Sequence, residues 1–181
     1  MKKQVIIAAV ALGAFVFGTN KIQAQNHTAT TAVNIILNDV ISIDPGSVAS
    51  GGQVDFNYVT AEDYNTSTTV NVPNSLIVTS TKSFGIKVKA DGPNFTDGTN
   101  NIPVDVLRIK IAQGGTMTGF SGVFIELSET NQTLIGGVPV GSALTLNLDY
   151  EIPAAKSSSS DILGKPAGTY TQNVTYTATA L

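Results

Sequence analysis

Apolar and polar residues alternate with period two along most of this chain, and a helical period is almost absent. Val33, Ile35, Leu37, Ile41 and Ile43 share one parity, interrupted at Asp39. Val54, Phe56 and Tyr58 alternate with Asp55 and Asn57, and Val70 and Val72 are followed by Leu76 and Val78. Phe84, Ile86, Val88 and Ala90 alternate with Gly85, Lys87 and Lys89. Successive side chains of a strand point to opposite faces, so each of these stretches predicts a half-buried β-strand. Val123, Ile125 and Leu127 predict a further short strand, and Leu144, Leu146, Leu148, Tyr150 and Ile152 carry the cleanest alternation of all. The C-terminal run Thr169–Leu181 places Tyr170, Val174, Tyr176, Ala178 and Ala180 on one face, with Gln172 interrupting it.

One stretch changes phase. Val104 and Val106 lie on one parity and Leu107, Ile109 and Ile111 on the other, which predicts a β-bulge near Val106. Turn-forming clusters separate the runs: DPGS at 44–47, SGG at 50–52, DGPN at 91–94, QGG at 113–115, IGG at 135–137 and PAG at 166–168. Residues 91–101 and 155–164 read as loops. The expected fold is all-β, an immunoglobulin-like antiparallel β-sandwich of about 8–10 strands, with a closed barrel as the alternative architecture.

Residues 1–24 read as an export signal, with Lys2 and Lys3 before an apolar run from Val5 to Phe17 and Ala24 ahead of the cut. That run is shorter than the roughly 20 apolar residues a membrane-spanning helix needs, and no Cys follows it to carry a lipid. Residues 25–181 are then expected to form a single domain. Cleavage removes three of the ten basic residues, leaving seven against thirteen acidic ones. Such a chain has no basic footprint for nucleic acid or anionic lipid. Without Cys it has neither a disulfide framework nor a thiolate metal site.

Candidate chemistry is sparse. His27 is the only histidine, close to the expected cleavage point, so neither a cysteine-protease nor a zinc-hydrolase arrangement can be assembled. Glu126, Glu129 and Glu151 sit among ordinary strand and turn residues, and no enzyme activity and no cofactor are expected. Asp91, Asn94 and Asp97 gather oxygen ligands in one loop, but their spacing departs from the calcium-loop pattern and no late Glu follows. What stands out is backbone: alternating strands at both ends of the chain, of a kind that pairs with a neighbour when left at a sheet edge.

Gly168 is fourteenth from the C-terminus, and Tyr170, Val174, Tyr176, Ala178 and Ala180 follow at every second position but one. This resembles the C-terminal signature of chaperone–usher pilins. An alternating N-terminal segment that leads through Asp44-Pro45 into the domain, with a close in Ala-Gly-Thr-Tyr, resembles the cysteine-free colonisation-factor branch and spore-coat-U-like secreted domains. The resemblance implies a structural or adhesive subunit at the surface or in the periplasm of a Gram-negative bacterium. It also implies donor-strand complementation, in which each subunit lacks one strand. Gly168, Tyr170, Val174, Tyr176 and Ala178 would wall the resulting groove. The N-terminal segment of the next subunit, within residues 25–43, would fill it with Val33, Ile35, Leu37 and Ile41. Partners implied are further copies or related subunits, a periplasmic chaperone and an usher. The competing expectation is a secreted monomeric module that binds cell-wall or host glycan, or a protein.

Overall fold

A computed structural model describes residues 27–119 and 124–181. The expected export signal and Val123 lie outside them. Residues 37–181 form one compact unit. In the unit before it, the described residues 27–36 carry neither helix nor strand.

The fold is all-β and antiparallel, a sandwich-like pairing of sheets. Among the described residues there are ten strands: β1 Ile41–Ile43, β2 Thr68–Ser80, β3 Phe84–Ala90, β4 Asn94–Thr96, β5 Asn101–Pro103, β6 Arg108–Ala112, β7 Ile125–Glu126, β8 Gln132–Val138, β9 Gly141–Ile152 and β10 Val174–Ala180. One sheet has the order β1-β2-β9-β6-β7, a second the order β10-β3-β8, and β4 and β5 form a small hairpin. That hairpin falls within 91–101 and just beyond, where the composition predicts a plain loop. No described helix is long and apolar enough to cross a membrane.

Alternation explains which faces meet. Phe84, Ile86, Val88 and Ala90 of β3 are buried, as are Leu146, Leu148, Tyr150 and Ile152 of β9, and together with Ile109, Leu76 and Val78 they form one core. Irregularities have local causes. Pro73 has no N–H to give, Asn74 takes a positive φ of 49°, and the β2–β9 register slips between Val72 and Leu76. The Asn147 side chain compensates by accepting the Asn74 N–H at 2.8 Å.

The phase change at Val106 is not a bulge. Val104–Val106 is a single 3-10 turn that leads into β6, and Val104, Val106, Leu107 and Ile109 are all buried. A turn of three residues per revolution lets both parities face inward, which period-two reading takes for a slip. Residues 155–164, expected as a loop, hold the single-turn helix α1, Ala154–Ser157, whose Ser157 is fully buried and hydrogen-bonds Tyr58 Oη at 2.8 Å.

The outer face of the larger sheet carries the polar pairs. Arg108 bonds Glu151, which also accepts from Ser67 at 2.8 Å, and Lys110 lies 3.8 Å from Asp149. The Phe124 ring lies 4.1 Å from the Arg108 guanidinium and 4.6 Å from the Lys110 ammonium. Glu151 is thus engaged as a structural ion pair, while Glu126 and Glu129 are exposed.

Candidate functional site

Antiparallel ladders hydrogen-bond through alternate residues, so the partners of a strand's ends fix which residues face outward along an edge strand. At one end of β10, Asp91 N–H donates to Asn173 C=O at 3.0 Å; just past the other, Leu181 N–H donates to Ser83 C=O at 2.8 Å. Odd-numbered residues therefore pair with β3, in the register Thr175↔Lys89, Thr177↔Lys87 and Thr179↔Gly85. The backbone N–H and C=O groups of Val174, Tyr176, Ala178 and Ala180 face the other way. β10 is last in its sheet, and no described backbone group bonds to them on that side. Val174, Tyr176 and Ala178 send their side chains inward and pack on the core, while Ala180 is exposed.

β1 behaves in mirror fashion at the edge of the other sheet. Thr81 N–H donates to Val40 C=O at 2.9 Å and Asp44 N–H to Ile77 C=O at 2.8 Å, so even residues pair with β2. The backbone groups of Ile41 and Ile43 are left at the free edge. Two edges with no partner among the described residues thus lie on either side of one seam, running in opposite directions. A cavity of about 270 Å³ is lined by Ile43, Ala49, Ser50, Leu76 and Val174–Tyr176, and one of about 140 Å³ by Asp39, Val40, Ile41, Thr81, Lys82 and Ala180.

The seam is narrow. Cα atoms of β1 and β10 approach within 8 Å. A strand seated between two others needs them about 9.6 Å apart, twice the ordinary spacing. Any strand that enters must part the edges where they lie this close.

Tyr176 is the polar element of the lining. Its hydroxyl lies 2.6 Å from that of Tyr150 on β9, and Tyr150 lies 3.4 Å from the buried Ser75 Oγ on β2. Burial, with the neighbouring Tyr150 hydroxyl, holds the Tyr176 phenol well above its usual pKa, so it stays protonated.

The sequence-derived wall residues divide into two sets. Val174, Tyr176 and Ala178 are on β10 beside the seam. Gly168 and Tyr170 are not, because the strand starts at Val174 rather than Thr169. Thr171 makes an isolated bridge to Thr96, and the Gln172 side chain donates to Asn94 C=O at 2.6 Å and accepts the Asn173 N–H at 2.8 Å. These bonds divert the chain toward β4. Gly168 lies near Asp97, and the Tyr170 hydroxyl donates to Pro166 C=O at 2.8 Å.

The donor candidates divide as well. Ile41 is half-buried in β1 of its own sheet, so the stretch 25–43 is not one uniform arm. Val33, Ile35, Ile36 and Leu37 are 82–87% exposed. Residues 27–40 form neither strand nor helix.

One feature of the region escaped sequence reading. Val54, Phe56 and Tyr58 are half-buried against the core and the residues between them exposed, as the alternation predicts. Yet residues 53–58 make no backbone hydrogen bond to any described residue. They have the sidedness of a strand and no ladder.

Among the described residues no three His, Cys, Asp or Glu side chains are grouped to hold a metal ion. In the loop expected to offer oxygen ligands, Asp97 accepts the Thr99 and Asn100 N–H groups at 2.8 and 2.6 Å and the Asn100 amide at 3.0 Å. No protein-family model matches the chain, and comparisons with curated proteins and with solved structures give no match.

Proposed function

We propose that this chain is an exported structural subunit that assembles by β-strand addition, the exposed segment around Val33–Leu37 of one copy entering the seam between β1 and β10 of another. The observation that carries this reading is the pair of facing strand edges that bond to no described backbone group, with Ile43, Ala49, Leu76 and Val174 among the residues that line the space between them. The same chain also holds an apolar segment whose Val33, Ile35 and Leu37 side chains are exposed. Long unpaired edges template association, and natural proteins blunt them with Lys, Pro or bulges. β10 contains none of these from Val174 to Ala180.

Magnitudes favour the contact. Burying Val33, Ile35 and Leu37 contributes roughly 5–9 kcal/mol, at about 1.5–3 kcal/mol each, before ordering costs. Ladder bonds to the outward groups of β10 add to it. Only Asn38, Asp39 and Val40 separate Leu37 from Ile41, and Val40 is already bonded to Thr81. An arm that filled its own seam would have to reverse at Asn38 and Asp39; the seam of a second copy asks for no reversal. The contact is then head-to-tail and propagates into a fibre. This mode of strand addition is the one that chaperone–usher pilins use, and a periplasmic chaperone and an usher are the partners such a route calls for.

The test is assembly of the exported chain at rising concentration, followed by electrophoresis in SDS without boiling. The expected result is a ladder of multiples that disappears when residues 25–37 are deleted and a peptide of that sequence is supplied to the truncated chain. A folded full chain that stays monomeric at high concentration overturns the proposal and leaves a self-contained binding module in its place.

A further inference from the structure

The root of the arm that carries Val33, Ile35 and Leu37 is tied to the domain. Val40 gives both of its backbone groups to Thr81: its N–H donates to Thr81 Oγ1 at 2.8 Å, and its C=O accepts the Thr81 N–H at 2.9 Å. One residue earlier, the Asp39 carboxylate lies 2.6 Å from the Lys82 ammonium. These contacts hold Val40 in line with β1, where Ile41 and Ile43 pack on the core and Ser42 is exposed. By strand alternation Val40 shares the outer side with Ser42, and it is 47% exposed.

From these contacts we infer, on the strand-addition reading above, that Val40 and Thr81 form a clasp that keeps the arm out of its own seam and reserves it for a second copy. An arm that turned back beside β1 would make a β-hairpin, and residues directly opposite in a hairpin share a face. With Val40 held in line, a two-residue loop at Asn38 and Asp39 sets Leu37 opposite Val40. Leu37, Ile35 and Val33 then all face solvent. A three-residue loop of Leu37, Asn38 and Asp39 sets Ile36 opposite Val40 and turns Ile35 and Val33 inward, but Leu37 is lost to the loop. Losing one buried Leu lowers self-insertion roughly tenfold to a hundredfold. To face inward, Leu37 must lie opposite Ile41 or a later inward residue, so every such loop takes Val40 away from Thr81. In the shortest of them, Asn38-Asp39-Val40, Val40 occupies the third position, which needs a positive φ that a β-branched residue avoids. The seam of another copy imposes none of these turns. Val40 and Thr81 are positioning residues, which set whose seam the arm can fill.

The test compares the chain as exported with a double variant, Val40→Gly with Thr81→Ala, which frees the root and allows the positive φ. Both positions are exposed, so the core is left as it is. Two readouts are taken: hydrogen exchange of the Ile35 and Leu37 amides in dilute solution, and light scattering at rising concentration. In the unaltered chain the two amides should exchange fast at dilution, and the chain should assemble. In the double variant they should be protected at dilution. Its assembly should fall at least about tenfold, since an arm on a short link meets its own seam at millimolar effective concentration. A second pair of chains leaves the clasp intact. Two glycines inserted between Asp39 and Val40 allow a loop of Asn38, Asp39 and glycine with Leu37, Ile35 and Val33 all inward, so this chain should behave like the double variant. One inserted glycine does not allow it, and that chain should assemble as the unaltered one does. Equal behaviour of the one-glycine and two-glycine chains overturns the clasp. So does protection of the arm in the unaltered chain at dilution, or a folded double variant whose arm amides stay fast and whose assembly is undiminished. Assembly of the unaltered chain is read separately, so strand addition stands in each of these cases if that chain assembles. An unaltered chain that folds and does not assemble, its arm amides fast at every concentration, overturns strand addition and the clasp with it.

Discussion

Replacing Ala178 by Pro and, separately, Thr177 by Pro puts the same perturbation on the two sides of β10. Thr177 pairs with Lys87 of β3, so Thr177→Pro removes a ladder donor and strands the Lys87 carbonyl. The lost bond costs about 1 kcal/mol and the unpaired carbonyl about 1–3 kcal/mol. At roughly 2–4 °C per kcal/mol for a domain of this size, Tm should fall by about 5–15 °C. Ala178 points its N–H to the free edge, where no described group accepts it. A proline there removes no bond within the domain, a position at which edge strands tolerate it, and Tm should fall by only a few degrees. Assembly should respond in the opposite order. Ala178→Pro deletes a donor that the incoming strand needs and puts its ring in the path of that strand, so association should weaken by at least about tenfold. Thermal melting by circular dichroism and assembly by light scattering read the two effects separately. Equal losses of Tm for the two prolines would refute the edge assignment, and unimpaired assembly of Ala178→Pro would refute the use of that edge.

Two further outcomes follow from the same geometry. Glu151→Ala leaves Arg108 without its partner on a sheet face where the two side chains are 33% and 11% exposed; destabilisation should fall near 2 kcal/mol, between the values for exposed and buried pairs, and a double-mutant cycle with Arg108→Ala should recover most of it as coupling. The Asp97 carboxylate, held by the Asn100 side chain and the Asn100 and Thr99 N–H groups, has its pKa lowered to about 2 from the usual 3.8. A lowered pKa gives order that is fully present above the unfolded value and is lost as pH falls through the folded one, so the 97–100 turn should hold at pH 5 and loosen between about pH 4 and 2. The amide signals of Thr99 and Asn100 in an NMR titration report this directly, and a midpoint near 4 would contradict it.

Much of the fold is legible in the sequence because burial on one face is what alternation reports. β3 and β9 are read correctly almost residue by residue, and Val174, Tyr176 and Ala178 stand where the terminal pattern puts them. Alternation does not report the hydrogen-bond partner. Val54–Tyr58 has the pattern and the sidedness of a strand and no ladder to any described residue, and nothing in its composition distinguishes it from β3. At the C-terminus the pattern runs on past the true start of the strand, because the bonds of Gln172 to Asn94 and Asn173 have no periodic signature. At the other end a single parity runs from Val33 to Ile43, yet the chain joins its own sheet only at Ile41, next to the point where Val40 meets Thr81. The second wall of the seam therefore could not be read as a wall: Ile41 and Ile43 look like a continuation of the arm.

The most direct measurement is residue-resolved hydrogen exchange of β10 in the dilute and the assembled chain. The Thr177 and Thr179 amides, bonded to β3, should exchange slowly in both, while those of Tyr176 and Ala178 should exchange fast in the dilute chain and become protected on assembly. Protection of Tyr176 and Ala178 already in the monomer, or fast exchange that persists in the assembled chain, would contradict strand addition at this edge.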